Sequence, residues 1–144
     1  MANYWLFDAL YEGNAGYSHN PKLGLAYLQK AVDLGVPLAQ YELARIYENK
    51  MKDVKTSESL FRCAAKQGFY AAMDELSISK KIDGDLKESL LLMHNAIRYG
   101  GEGGGGAALR LGLVYGNSKS YMKEFEATPA DPIRQAAYTE LYKA

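Results

Sequence analysis

Apolar residues recur at helical spacing in two neighbouring segments of this chain, with a polar stretch between them. Leu38–Glu48 and Leu60–Ala65 each place apolar residues three and four positions apart, which is the spacing of one face of an α-helix. The polar segment Asn49–Glu58 predicts a turn between two helices, and Gly68 predicts the end of the second one. A helix pair this short cannot bury its own apolar face, so the pattern requires neighbouring pairs of the same kind.

The neighbouring pairs are visible as an internal repeat. Second helices of the same form end at Gly35, Gly68 and Gly100, which are 33 and 32 residues apart. The first helix of each unit also begins alike, with a small residue and, four positions later, a leucine followed by another small residue. These openings are Ala39-Leu43-Ala44-Tyr47, Ala72-Leu76-Ser77-Lys80 and Ala107-Leu111-Gly112-Tyr115. The coinciding registers predict a helical repeat along the chain.

Turn and cap residues locate the remaining helices. Asn20 and Asp53 are predicted N-caps, and the Asp83-Gly84-Asp85 turn contains a third. The predicted helices outside the central pair are Asn3–Glu12, Pro21–Leu34, Phe69–Lys81, Leu86–Tyr99 and Ala107–Tyr115. An irregular insertion at Asn117–Ala130 is followed by a last helix that begins at Asp131-Pro132.

Three expectations concern buried side chains. The helix that follows Asn20 is expected to bury Leu23, Tyr27, Ala31 and Leu34. The apolar run Leu90–Met93 predicts a helix that is covered on two faces. Cys63, the single cysteine, lies in mid-helix among apolar residues, which predicts a packed thiol and excludes an internal disulfide.

The repeated residues resemble the Sel-one-like repeat, a short relative of the tetratricopeptide repeat. The matching signature is carried in the second unit by Ala39, Leu43, Ala44, Tyr47, Leu60, Ala64 and Gly68. The third unit departs from it, with Lys80 in place of the tyrosine and Ser77 in place of the small apolar residue. The resemblance implies an all-α fold, a right-handed α-solenoid of about four helix-turn-helix repeats in one domain, residues 1–144. The implied units are about 3–36, 37–69, 70–104 and 105–144.

Charge and hydropathy exclude some partners. Lys plus Arg and Asp plus Glu both number 17, so the formal net charge is zero, without the basic excess typical of nucleic-acid binders. No apolar run approaches the length of a membrane span, and no basic segment precedes the first apolar residues as in a signal peptide. The chain as written is therefore expected in the cytoplasm, or in the periplasm if a leader has been removed.

The sequence contains weak matches to chemical motifs, and none predicts a catalytic, cofactor or metal site. Gly101, Gly103 and Gly106 fit G-x-G-x-x-G, but a helix rather than a strand precedes them, so an inter-repeat loop is the better interpretation. His19 and His94 are the two histidines, and neither has a partner at metal-ligand spacing.

A protein-binding surface is the better candidate, on the first helix of each unit. Residues that should face away from the second helix would line the concave side of a solenoid and form the predicted partner-binding set. They are Trp5, Glu12, Tyr41, Arg45, Glu48, Asp74, Ile78, Lys81, Leu109 and Leu113. Exposed Trp, Tyr and Arg dominate interface energetics. The alternative is that Trp5 and Tyr41 merely complete the packing between adjacent units.

The sequence thus predicts a non-enzymatic module that binds another protein. Stand-alone chains that resemble it are immunity proteins that neutralise a toxin, or adaptors in envelope or signalling assemblies, and size and resemblance favour immunity. Two other hypotheses stay open. One is a small enzyme that uses His19 or His94, and the other is a segment of a longer repeat protein.

Overall fold

The computed structural model of the chain describes residues 1–115, and every regular element among them is helical. Seven α-helices are present in that range. They are α1 Ala2–Glu12, α2 Pro21–Asp33, α3 Pro37–Ile46, α4 Val54–Lys66, α5 Tyr70–Ile82, α6 Leu86–Gly100 and α7 Gly105–Tyr115. A π-helical turn, Tyr47–Met51, continues α3, and a 3₁₀ turn, Gly101–Gly104, joins α6 to α7. The predicted insertion at Asn117–Ala130 and the helix after Asp131 lie outside the described residues.

Each of the three predicted caps is confirmed. The side-chain oxygen of Asn20 accepts a hydrogen bond from the Leu23 amide at 3.1 Å. Asp53 and Asp85 accept in the same way from the amides three residues further on, also at 3.1 Å. The first amides of a helix have no partner within the helix, so these local contacts determine where α2, α4 and α6 begin.

The second helix of each unit buries the same pattern of residues, and this pattern is more regular than the sequence signature of the repeat. Each of these helices buries a small residue, a larger apolar residue four positions later, and an alanine three positions after that. The triplets are Gly24-Leu28-Ala31 in α2, Ser57-Phe61-Ala64 in α4 and Ser89-Met93-Ala96 in α6. The predicted openings of the first helices are buried as well, at Ala39, Leu43 and Ala44 and at their counterparts in α5 and α7. The predicted helical repeat is therefore visible directly in the core.

Gly24 shows why the small position of the triplet matters. A Cβ atom at this residue would lie 3.1 Å from the Tyr11 amide nitrogen and 3.2 Å from the Phe7 carbonyl oxygen. Both are backbone atoms of α1, which cannot move aside as a flexible side chain could. The absence of a side chain therefore lets α2 lie directly against α1.

The same contact corrects the predicted buried face of α2. Leu23 is 44% exposed and Leu34 73% exposed, whereas Leu28 is fully buried. Of the four predicted residues, Ala31 is fully buried and Tyr27 is partly buried. The close approach at Gly24 turns the Gly24-Leu28-Ala31 face towards α1, and neighbouring positions on a helix point about 100° away from it.

Two further burial predictions are wrong for the same geometric reason. Cys63 is exposed, because Phe61 and Ala64 define the buried face of α4 and Cys63 lies on its other side. Within the Leu90–Met93 run, Met93 is buried but Leu91 is 60% exposed. The α6 helix is therefore not covered on two faces at Leu91.

The described residues fall into two compact units, Met1–Gln67 and Gly68 onwards. In the first unit α1 packs on α2, α2 on α3, and α3 on α4, around a core that includes Phe7, Leu28 and Leu43. In the second unit α5 packs on α6, and α6 on α7. The predicted division into four repeats stays a prediction, because most of the fourth lies outside the described residues.

The glycine-rich segment at residues 100–106 connects α6 to α7, as expected of an inter-repeat connection, but it is helical and packs on a tyrosine ring. Cβ atoms at Gly100 and Gly103 would each lie 2.7 Å from atoms of the Tyr70 ring. The absence of side chains at these two glycines therefore lets the ring pack directly against the backbone. Gly100 is the last residue of α6, and Gly101 takes the positive φ of 51°. The predicted stop at Gly100 is thus off by one, and the positive-φ glycines Gly35, Gly68 and Gly101 are evenly spaced by 33 residues.

Replacing Gly24 by alanine should lower the free energy of unfolding by about 1–3 kcal/mol, because the added methyl group meets backbone of α1. At an exposed mid-helix position the same change raises stability by about 1 kcal/mol. The sign of the change in stability therefore distinguishes a close helix contact from an exposed position. Urea unfolding followed by circular dichroism measures the effect. Ala26→Gly, at an exposed position of the same helix, is the matched control and should cost about 1 kcal/mol. A stabilised Gly24→Ala variant would contradict the close approach.

Candidate partner-binding cleft

A cleft of about 330 Å³ opens in the first unit between α1 on one side and α3 with its π-helical turn on the other. Its lining combines aromatic rings, carboxylates and cations. The lining residues are Tyr4, Phe7, Asp8, Tyr11, Glu12, Glu42, Arg45, Ile46, Asn49 and Lys50. The volume lies near the lower end of the range of about 300–1,000 Å³ that is common for ligand sites.

Three aromatic rings of α1 line the cleft: Tyr4, Phe7 and Tyr11. The ring centroids of Tyr4 and Phe7 are 5.8 Å apart, and those of Phe7 and Tyr11 are 5.2 Å apart. Both separations lie in the range of favourable aromatic pairs. Phe7 is buried and belongs to the core of the first unit, and both tyrosines are partly buried against that core. Packing against the core of the first unit therefore holds these rings in place.

Carboxylates from both helices meet at one end of the cleft, next to Tyr4. Burial raises the pKa of the Glu42 carboxyl group, the nearby Arg45 opposes this effect, and Asp8 adds to it. Burial also raises the pKa of the Tyr4 hydroxyl group, and the charges of Glu42 and Asp8 raise it further. Asp8, Glu42 and Tyr4 therefore form one local cluster of negative potential, which we call the acidic end of the cleft.

The two cations of the cleft are each held by a tyrosine. The Lys50 ammonium group donates a hydrogen bond to the Tyr11 hydroxyl and lies 4.7 Å from the centroid of its ring. The Arg45 guanidinium lies 5.8 Å from the centroid of the Tyr41 ring. These distances are typical of cation–π contacts. The Lys50 contact joins the π-helical turn to α1 at Tyr11, one helical turn beyond Asp8.

The structure brings together only part of the predicted partner-binding set in the first unit. Glu12 and Arg45 line the cleft, but Trp5, Tyr41 and Glu48 do not. Trp5 is 54% exposed and makes an edge-to-face contact with Tyr17, at 6.0 Å between centroids. Tyr41 packs on Phe61 of α4, with centroids 5.6 Å apart, so the expectation that it faces away from the second helix is wrong.

In the second unit the predicted residues divide into two kinds. Asp74 of α5 pairs with Arg110 of α7, and the same guanidinium also donates to Ser77 Oγ at 3.3 Å. Burial raises the Asp74 pKa, although the paired Arg110 partly offsets the shift. The other predicted residues are each partly exposed: Ile78, Lys81, Leu109 and Leu113. Their role in binding stays a prediction, whereas Asp74 has a partner within the fold.

Sequence reasoning missed eight of the ten lining residues and chose the neighbouring stripe of the same helices. The missed residues are Tyr4, Phe7, Asp8, Tyr11, Glu42, Ile46, Asn49 and Lys50. In α1 the missed residues Tyr4, Asp8 and Tyr11 lie on one helix face. This face is offset by one residue from the face that was predicted to bind the partner. Nothing in the sequence alone states which of two adjacent stripes faces the next helix.

The described part of the chain contains no group of three His, Cys, Asp or Glu side chains that could hold a metal ion. His94 lies 3.1 Å from the Tyr115 hydroxyl through its Nε2 atom, in the second unit, and His19 is exposed in the first. Neither histidine lines the cleft. Within residues 1–115, no helix is both long and apolar enough to cross a bilayer.

Comparison with solved structures confirms the predicted fold. The chain is similar over 98% of its length to a Sel1 (Sel-one) repeat protein from Oxalobacter formigenes, with a TM-score of 0.80 and 22% identity. It is also similar to two proteins of Pseudomonas aeruginosa. These are immunity protein PA5088 (94% of this chain, TM-score 0.68, 22% identity) and immunity protein Pa5087 (99%, 0.60, 20%).

This likeness establishes an all-α solenoid fold that resembles Sel-one-like repeats, as the sequence predicted. The chain spans 56% of the Oxalobacter protein and 49% of PA5088, so it is about half as long as either. It spans 67% of Pa5087. No protein-family model matches the sequence, and no curated protein is significantly similar to it.

Glu42→Gln should stabilise the protein at neutral pH. The raised pKa means that folded protein holds the Glu42 proton more tightly than unfolded protein. Stability is therefore lost as pH rises from the unfolded pKa of about 4.3 through the higher folded value, and glutamine removes this loss. We expect a higher melting temperature for the variant at pH 7 and no difference below about pH 4. Glu48→Gln, exposed and outside the cleft, is the control. An unchanged or lower melting temperature at pH 7 would contradict the crowding of Asp8 and Glu42.

Asp74→Ala should lower the free energy of unfolding by about 1–3 kcal/mol, because it leaves the Arg110 guanidinium largely buried without its carboxylate. Ile78→Ala, an exposed change on the same helix, should stay within about 0.5 kcal/mol of the wild type. Combining Asp74→Ala with Arg110→Ala in a double-mutant cycle isolates the pair. A coupling energy near zero would show that the contact contributes nothing to stability.

Proposed function

We propose that this chain is a non-enzymatic protein-binding module that acts as an immunity protein. In this role it binds one toxin molecule and blocks its action. The observation that carries the proposal is the fold shared with two immunity proteins of Pseudomonas aeruginosa, over 94% and 99% of this chain. Helical repeat folds expose extended surfaces for binding other macromolecules, which supports a role in protein recognition.

The cleft of the first unit supplies the kind of surface that such binding needs. Partly buried tyrosines and an arginine line it or border it, and these residue types contribute most to interface affinity. The core beneath α1 holds its aromatic rings in place, so little conformational entropy is lost when a partner binds. A pre-formed surface of this kind favours tight one-to-one binding.

A second function is favoured by a different observation. The TM-score of 0.80 to the Sel1 repeat protein exceeds those to the two immunity proteins. An adaptor that joins proteins of an envelope or signalling assembly would use the same fold. The two functions differ in their consequences, because an adaptor need not protect cells against a toxin.

Co-expression with the toxin encoded beside its gene tests the proposed function. Cells that produce this toxin alone should stop growing, and cells that also produce this chain should grow as the uninduced culture does. The chain is expressed both with and without a secretion leader, because the sequence allows either the cytoplasm or the periplasm. Calorimetry on purified proteins should give a stoichiometry of one to one. If the chain folds in both compartments and the toxin stays fully active, the immunity function is excluded.

A further inference from the structure

The cleft of the first unit carries charges of both signs along its lining. Tyr4 and Asp8 of α1 and Glu42 of α3 form the acidic end: all three line the cleft, and the charges of Glu42 and Asp8 add to the effect of burial in raising the pKa of the Tyr4 hydroxyl. Lys50 contacts both the hydroxyl oxygen and the aromatic face of Tyr11. The lining carries three carboxylates, Asp8, Glu12 and Glu42, against two cations, Arg45 and Lys50, so its formal charge is negative.

Within residues 1–115, no hydrogen bond or ion pair joins the Asp8 or Glu42 carboxylate to another side chain. Arg45 acts on Glu42 through space, but its guanidinium lies over the Tyr41 ring, and burial with Asp8 outweighs its effect. Burial beside Asp8 disfavours the charged form of the Glu42 carboxyl group, and a cation bound close to it would favour that form.

The rings next to these carboxylates restrict the kind of cation. Tyr4 and Phe7 lie at the same end, with their centroids 5.8 Å apart and their planes tilted by 50°. A guanidinium group is planar, stacks on aromatic rings, and presents paired N–H donors to carboxylates. An ammonium group is a compact, strongly hydrated charge that gains less from such surroundings.

We propose that the acidic end of the cleft receives an arginine side chain of the partner protein. The guanidinium stacks against Tyr4 and donates hydrogen bonds to Asp8 and Glu42, and the aliphatic stem lies along Phe7. The volume of about 330 Å³ accommodates one long side chain together with the backbone that carries it. This inference rests on the proposed function for the existence of a protein partner, but not for the chemistry of the cleft.

A small arginine probe tests the chemistry without any knowledge of the partner. We titrate the ¹⁵N-labelled full chain with N-acetyl-arginine methylamide and follow the backbone amides of Tyr4, Asp8 and Glu42. The expected result is saturable binding in the millimolar range, since a single side chain provides few contacts. The citrulline analogue has the same shape without the charge and should cause no saturable shift. The lysine analogue should bind more weakly. Equal shifts from all three compounds, or none from arginine, would overturn the proposal.

Matched double variants attribute the binding to the acidic end. Asp8→Asn with Glu42→Gln removes two charges from the cleft and should abolish arginine binding. Asp33→Asn with Asp83→Asn removes two charges from exposed residues outside both the cleft and the predicted partner-binding set, and should leave binding unchanged. Circular dichroism verifies that both variants are folded. If the two variants lose arginine binding equally, net charge and not the cleft is responsible.

The same variants separate this inference from the proposed function when the neighbouring toxin is used. If the toxin binds the wild type, the Asp8/Glu42 variant should weaken its affinity by at least about tenfold and the Asp33/Asp83 variant by less than about twofold. Binding of the toxin that is indifferent to Asp8 and Glu42 would overturn the arginine site and leave the immunity function intact. A toxin that does not bind at all would remove the immunity function, while the probe titration still decides the arginine site.

Discussion

The contact on which this structure depends is the close approach of the two helices of each pair at one small residue. Gly24 in α2, Ser57 in α4 and Ser89 in α6 occupy this position. The surroundings of these three small residues differ. Gly24 lies directly against the α1 backbone, Ser89 donates to the Ser77 carbonyl at 2.7 Å, and the buried Ser57 hydroxyl has no partner among residues 1–115. Their common property is small volume, so close packing rather than a shared hydrogen bond is the constraint.

This contact also determines which side chains of the first unit are left to form a site. Because α2 covers the α1 backbone at Phe7 and Tyr11, α1 is fixed in rotation about its own axis. The side chains of Tyr4 and Asp8 are thereby directed to the cleft with α3, and Trp5, one position further round, is left outside it. The arrangement of the cleft is thus a consequence of packing that takes place on the other side of α1.

The acidic end is a place where stability and binding oppose each other. Burial raises the pKa of Glu42 and Asp8 adds to the effect, so the ionised Glu42 carboxylate makes the isolated protein less stable than a neutral side chain would. Natural proteins retain such local costs where they serve recognition, and a bound cation would remove this one. The Asp74–Arg110 pair in the second unit is the contrasting case, since its carboxylate already has a cation within the fold.

The sequence by itself determined the all-α repeat fold, the caps and the approximate helix bounds. These follow from local chemistry: Asn20, Asp53 and Asp85 each bind an amide three residues away, and the apolar period needs no knowledge of distant segments. The tertiary structure alone decided how each helix is rotated about its axis. A rotation of about 100°, one residue, separates the predicted stripe from the one that lines the cleft, and it likewise separates Leu23 from the buried Gly24. The meeting of Asp8 with Glu42 and of Asp74 with Arg110 joins residues more than 30 positions apart, and only helix-to-helix packing brings them together.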